Sequence, residues 1–292
     1  MRAYLIKAIL LVFSVLPLPA THVIGIIAGW LLYLAPTAIK QISSINLQLC
    51  FPSLDKPSRK RLLRNSLIET AKAIAELGPL WYWRKERLMA LVKKTSGEEA
   101  LEHALKQGQG VILAIPHLGT WEMVGLYCSA KYPMTSLYRP PRIIELDSLA
   151  RMARGRFGAH LVPTDMSGVR SLYHALTRGE LVAILPDQEP AMDNGLFIPF
   201  YGIPAYTMTL LQRIASSSKA PVFFTYAERL PAGRGYHLHF ISSPHDIRHY
   251  EQPQALLLMN NNIEMCINKI PEQYQWGYKR FRKRPAGVSD FY

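Results

Sequence analysis

The chain has 292 residues, 49% of them hydrophobic and 19% charged, and 34 Lys and Arg stand against 21 Asp and Glu for a formal net charge of +13. This length buries a substantial core within one large domain, and the composition, free of low-complexity tracts, excludes a disordered chain. The positive balance points to anionic partners. With no zinc-knuckle, helix-turn-helix or RNA-binding signature beside it, lipid headgroups are favoured over nucleic acid.

In chain order, residues 8 to 35 contain no Asp, Glu, Lys or Arg. Roughly 20 apolar residues span a bilayer, but Pro17 and Pro19 divide this run, because proline lacks an N–H donor and clashes with the preceding turn. One kinked membrane helix and two short interfacial helices are both compatible with it. A signal peptide is disfavoured, since hydrophobicity resumes at Val23 without a small-x-small cleavage site. A buried hairpin is the bland alternative, and the flanking Arg2, Lys7 and Lys40 favour membrane contact. Residues 1–36 are therefore expected to form a membrane-associated helical segment, and 37–292 the main folded domain.

Ser58–Leu77 reads as an amphipathic helix, with Leu62, Leu63, Leu67, Ile74 and Leu77 opposite Arg59, Lys60, Arg64 and Lys72, ended by Gly78-Pro79. The following Trp81-Tyr82-Trp83-Arg84-Lys85 fits either a core-edge cluster or an interfacial anchor. Glu98–Gln107 is expected to be helical, then Val111–Ile115 a strand covered on both faces. Further strands are expected at Met134–Tyr138, Leu181–Leu185, Pro221–Tyr226 and Tyr236–Ile241. Helices are expected at Ser167–Thr177, Ala205–Ser216 and Gln254–Lys269. Alternating strands and helices predict an α/β fold with a mixed sheet flanked by helices.

The chemistry-bearing stretch is Val111-Ile-Leu-Ala-Ile-Pro-His117-Leu-Gly-Thr-Trp-Glu122. In open α/β folds ligands sit beyond the carboxyl ends of strands, where His117 falls. Five residues along a regular helix turn two side chains roughly 140° apart, so a His117–Glu122 dyad needs His117 before the helix and Glu122 in its first turn. Pro116 and Gly119 suit that entry. In such a pair Glu122 orients the imidazole, whose other nitrogen takes a proton from an attacking hydroxyl. No G-x-S-x-G elbow stands nearby, so direct attack by an acceptor alcohol fits better than an acyl-serine.

Here the sequence resembles the late acyltransferases of lipid A biosynthesis, within the lysophospholipid acyltransferase superfamily. His117–Glu122 matches the H-x-x-x-x-E motif, with Gly119 and Trp121 in the family's pattern. Tyr138-Arg139-Pro140, Arg154-Gly-Arg156, Pro186-Asp187-Gln188 and Phe197-Ile-Pro-Phe-Tyr-Gly202 are similar to further family motifs. Pro271-Glu-Gln-Tyr-Gln-Trp276, with Arg280-Phe281 and Arg284-Pro285, resembles its C-terminal signature. Glu189-Pro190 stands where the family often has another Asp and a Gly, and Lys279 where a second Arg is usual.

The resemblance implies a glycerolipid acyltransferase-like fold and an acyltransferase domain over 37–292. It implies transfer of an acyl chain from acyl carrier protein to a hydroxyl of a Kdo-bearing lipid A precursor, at the cytoplasmic face of a bacterial inner membrane and without a cofactor. Another lipid acceptor (lysophospholipid, ornithine lipid or glycolipid) and a non-catalytic membrane-binding protein of the same fold are the alternatives.

Arg139, Arg154 and Arg156 are candidates for binding the acceptor's anionic groups, because the guanidinium is forked and permanently charged. Asp187 and Gln188 are candidate site residues, with turn capping the alternative for Asp187. The basic end, Lys279–Arg284, is expected to meet lipid headgroups or the acidic carrier protein. Cys50, Cys128 and Cys266 form neither a disulfide framework nor a metal spacing. His237 and His239 share one strand face, but with no nearby carboxylate in sequence no metal site is expected.

Overall fold

A computed structural model describes residues 2–141, 143–191 and 193–292. Five helices come first: α1 (Arg2–Val15), α2 (Leu18–Leu34), α3 (Ala38–Cys50), α4 (Lys56–Tyr82) and the short α5 (Lys85–Met89). Strands and helices then alternate: β1 (Val92–Ser96), α6 (Glu98–Lys106), β2 (Val111–Ala114), α7 (Trp121–Lys131), β3 (Met134–Tyr138), α8 (Asp147–Gly155), β4 (Ala159–Pro163), α9 (Met166–Thr177) and β5 (Leu181–Ile184). A hairpin of β6 (Gly195–Phe200) and β7 (Ile203–Met208) follows, then α10 (Leu210–Ser218), β8 (Val222–Arg229), β9 (Tyr236–Ser242) and α11 (Gln252–Ile267).

Seven strands form one mixed sheet in the order β1-β9-β8-β2-β5-β3-β4. Every neighbouring pair is parallel except β8 and β9. The central strands are apolar throughout because helices cover both faces. Val111 and Leu113 of β2 face the core layer that holds Leu101, Met123 and Val124, while Ile112 and Ala114 face the layer of Ile214, Leu256 and Met259. The expected mixed α/β sheet is thus present.

Of four strands absent from the sequence expectation, β6 and β7 form the separate hairpin, and β1 and β4 lie at the sheet edges. Edge strands bury little and carry Lys or Pro, as Lys93, Lys94 and Pro163 do here, so apolar patterning is weak in them. The expected helix over Ala205–Ser216 is corrected: β7 runs to Met208 and the helix begins at Leu210. Tyr206 and Thr207 pair with β6, whose two-residue turn places Tyr201 and Gly202 at positive φ, the backbone of a tight hairpin.

Helix α4 passes Gly78-Pro79 instead of stopping there. A proline one turn from a helix end forfeits a single bond, and Trp83 N–H still reaches the Pro79 carbonyl at 2.9 Å. Gly78 is needed for close packing, since a Cβ there would lie 2.5 Å from Phe13 Cβ of α1. Gly25 and Gly29 of α2 play the same part against Lys72 and Ile68, so α1 and α2 are seated directly on α4. Trp81 and Trp83 are buried, and Trp83 Nε1 donates to the Ser14 carbonyl, which places this pair at the core edge.

The apolar start is broken at Leu16-Pro17 into α1 and α2. Among the described residues no single helix is long and apolar enough to cross a membrane, although α2 and α3, bent by 81°, meet that length and composition as a pair.

Candidate active site

Parallel, in-register pairing of β2 and β5 builds the site. Ala114 lies opposite Ile184. The third residue beyond each strand, His117 and Asp187, therefore emerges side by side past Pro116 and Pro186. His117 Nδ1 is 2.8 Å from Asp187 Oδ1, and the His117 backbone N–H donates to Asp187 Oδ2 at 2.8 Å. Asp187 is buried. Burial works to raise its pKa, yet the His117 ring and backbone N–H hold the carboxyl below its ordinary range. An ionised Asp187 accepts from Nδ1–H, which assigns the tautomer and leaves Nε2 with its lone pair. The Gln188 amide nitrogen sits 3.2 Å from that Nε2 and also donates to Gln275 Oε1.

The turn that carries His117 is pinned from three sides. Thr120 N–H donates to the Ala227 carbonyl of β8, Gly119 N–H to the Gln273 carbonyl, and Gln275 N–H to the His117 carbonyl. Gly119 has a φ of +61°, and a Cβ would stand 2.0 Å from the Ala227 oxygen, so no other residue fits. The Trp121 ring centroid lies 5.2 Å from that of His117.

Glu122 is in the first turn of α7 and His117 precedes the helix, as the spacing requires. The partnership is nevertheless different from the one expected, because Asp187 makes the imidazole hydrogen bond assigned to Glu122. Arg154, from the last turn of α8, takes both Glu122 oxygens, with Nε 3.0 Å from each and Nη2 also bonded to Oε1. Glu122 is buried, and a buried carboxylate goes to the nearest guanidinium that can neutralise it.

Arg154, expected to bind an anion, is engaged with Glu122 in the structure. Arg156 donates to the carbonyls of Trp83 and Leu80 and so ties α8 to the end of α4. Desolvation lowers its pKa to about 10, so it remains charged at neutral pH. Arg139 is exposed beyond β3, and among the described residues no carboxylate pairs with it. The basic end is built in only in part, with Lys279 and Arg282 exposed. Arg280 is buried and donates to the Tyr206 carbonyl and Thr207, Arg282 pairs with Glu189, and Lys283 and Arg284 reach the carbonyls of Pro190 and Pro204.

A cavity of about 420 Å³ opens beside the imidazole's neighbours. Ala73, Ile74 and Leu77 of α4 form an apolar wall, Trp121, Gln188 and Gln275 lie at the histidine end, and Glu69 and Tyr278 add polar edges. The volume falls in the range of small-molecule sites. Together these groups can hold an apolar chain against α4 while a base beyond the carboxyl end of β2 removes a proton from a hydroxyl.

Sequence reasoning missed the partnership of Asp187 with His117. Its signal was present: Val111-Ile-Leu-Ala-Ile-Pro-His and Leu181-Val-Ala-Ile-Leu-Pro-Asp align position by position. The contributions of Trp121, Gln275 and α4 to the cavity had no comparable mark. Elsewhere, the expectation that His237 and His239 lack a carboxylate is corrected by β8, which brings Glu228 beside them.

The model of the family described as bacterial lipid A biosynthesis acyltransferase matches residues 1–283. The chain is 28% identical over 282 residues to a lipid A biosynthesis lauroyltransferase of Escherichia coli, covering 95% of this chain and 90% of that one. It is 31% identical over 277 residues to a lipid A biosynthesis acyltransferase of Haemophilus influenzae, covering 92% and 86%. A lipid A biosynthesis palmitoleoyltransferase of Escherichia coli is 28% identical over 257 residues, covering 87% and 82%.

Proposed function

The chain belongs to the bacterial lipid A biosynthesis acyltransferase family and is an acyltransferase, and on that premise we propose that it moves an acyl chain from acyl carrier protein to a hydroxyl of a Kdo-bearing lipid A precursor. The observation that carries the mechanism is the His117–Asp187 pair beside a cavity with one apolar wall. The acceptor hydroxyl displaces Gln188 at His117 Nε2 and loses its proton there as its oxygen attacks the thioester carbonyl. The new C–O bond forms, the C–S bond breaks, and the imidazolium returns the proton to the departing thiolate. Asp187 stabilises the imidazolium throughout. Glu122 acts through Arg154, fixing α8 against α7 beside the site.

The proposed acceptor is a phosphorylated, acidic lipid, and the exposed Arg139 is the candidate to meet its charge. We place the reaction at the cytoplasmic face of the inner membrane. Val12 and Val15 of α1 and Val23, Ile27, Leu31 and Leu34 of α2 are exposed, an apolar patch suited to interfacial insertion, and the +13 charge favours anionic lipid.

Full-length protein in anionic vesicles, given acyl carrier protein thioester and each of several acceptors, tests the reading by product mass. Acylation of the lipid A precursor is expected, with turnover at least about a hundredfold lower in His117→Ala. A lysophospholipid acylated while the precursor is left untouched would reassign the acceptor. Equal turnover with and without His117 would end the general-base role.

A further inference from the structure

Strands β8 and β9 pair antiparallel with Glu228 opposite His237 and Tyr226 opposite His239. Residues two apart on a strand share a face, so both imidazoles and the carboxylate project to one side of the sheet. One nitrogen of each histidine and one Glu228 oxygen lie within 4.8 Å of one another. Glu228 Oε2 is 3.0 Å from His239 Nε2 and 3.7 Å from His237 Nδ1. All three side chains are half-buried, and acyl transfer at His117 uses none of them.

We propose that Glu228, His237 and His239 bind one divalent transition-metal ion of the zinc class, with the remaining coordination position left to water. Two imidazoles and one carboxylate are a zinc donor set, and ligand bonds of roughly 2.0–2.2 Å in a tetrahedron separate donor atoms by about 3.3–3.6 Å. The two observed separations bracket that value. An outer hydrogen bond orients the His237 ring, as ligating histidines require, and stacking holds the His239 ring. His237 Nε2 is 2.8 Å from Ser96 Oγ of β1, which leaves Nδ1 facing Glu228. His239 stacks on Tyr226 with centroids 4.5 Å apart and planes 16° apart.

A simple His–Glu ion pair accounts for less. The two imidazole centroids are 3.9 Å apart and share one carboxylate, so protonating both rings sets like charges face to face. One shared cation satisfies all three donors. Lys94, opposite His237 in the β1 register, is exposed, and its ammonium is close enough to act electrostatically on the His237 ring. The ion would staple β8 to β9 behind the catalytic turn, whose Thr120 N–H is bonded to the Ala227 carbonyl.

Untagged full-length protein, stripped with chelator and dialysed, is titrated with Zn²⁺ by calorimetry and with Co²⁺ followed by visible absorption. One equivalent per chain is expected, with the intense visible bands of tetrahedral Co²⁺. His237→Ala, His239→Ala and Glu228→Gln should each weaken binding at least about tenfold while circular dichroism stays unchanged. Glu228→Gln is isosteric and partly exposed, so it keeps the test independent of folding. Wild-type affinity in the His237→Ala/His239→Ala double variant would assign the ion elsewhere and overturn the site. Failure of the wild-type chain to take up an equivalent of either metal would do the same.

Discussion

At the scale of single residues, the site turns on which partner each carboxylate takes. His117 has Asp187, and Glu122 has Arg154. Asp187→Asn keeps the shape but places an amide against Nδ1, so the tautomer with a free Nε2 lone pair loses its support. Steady-state assays should show kcat down at least about a hundredfold with KM little changed. Glu122→Gln and Arg154→Ala should behave as one unit. In a double-mutant cycle for unfolding they are expected to couple by about 1–3 kcal/mol, because each single change strands a charge that the double change removes. A cycle that is additive within error would detach Arg154 from Glu122 in solution.

At the scale of elements, α4 organises the N-terminal half. Its Gly78 receives α1, and Ile68 and Lys72 receive the glycines of α2. A Cβ at Gly29 would stand 2.3 Å from Ile68 Cα, a backbone atom that a rotamer change cannot clear. Gly29→Ala should therefore cost roughly 1–3 kcal/mol in denaturant unfolding, despite the higher helix propensity of alanine. A gain in stability would mean that α2 does not pack at that distance. These close approaches had a weak sequence signature, since glycines in an apolar helix also suit membrane packing. The partner helix was legible only as an amphipathic stripe. The strand cores of β2 and β5 were legible because helices on both faces demand continuous apolar runs, and β9 because its residues alternate, whereas β1 and β4 were not, because edges bury little.

At the scale of the whole molecule, a buried charge network joins elements remote in sequence. Glu76 of α4 accepts from Arg229 of β8, bonds His22 of α2 and accepts from Thr120 in the turn after His117. Burial opposes ionisation of Glu76, but Arg229 and His22 prevail and lower its pKa from 4.5 to about 2. A carboxyl depressed in the folded state adds stability that is fully present above the unfolded value and is lost as pH falls through the folded one. Wild-type stability should therefore decline between pH 4.5 and about pH 2. Glu76→Gln, less stable by roughly 3 kcal/mol at neutral pH, should decline less steeply over that interval, because Asp187 and the other depressed carboxyls still titrate in it. Parallel acid-unfolding curves for the two proteins would remove Glu76 from the account.

The sequence alone determined the mixed α/β class, the strand that delivers His117, and the family, because periodicity and local motifs depend on neighbours along the chain. Only the tertiary structure decided the partners. Asp187 reaches His117 through strand register, Arg154 reaches Glu122 through the meeting of α7 and α8, and Glu228 joins two histidines across a hairpin. A buried charge is satisfied by whatever folding brings within about 3 Å of it, and distance along the chain does not enter.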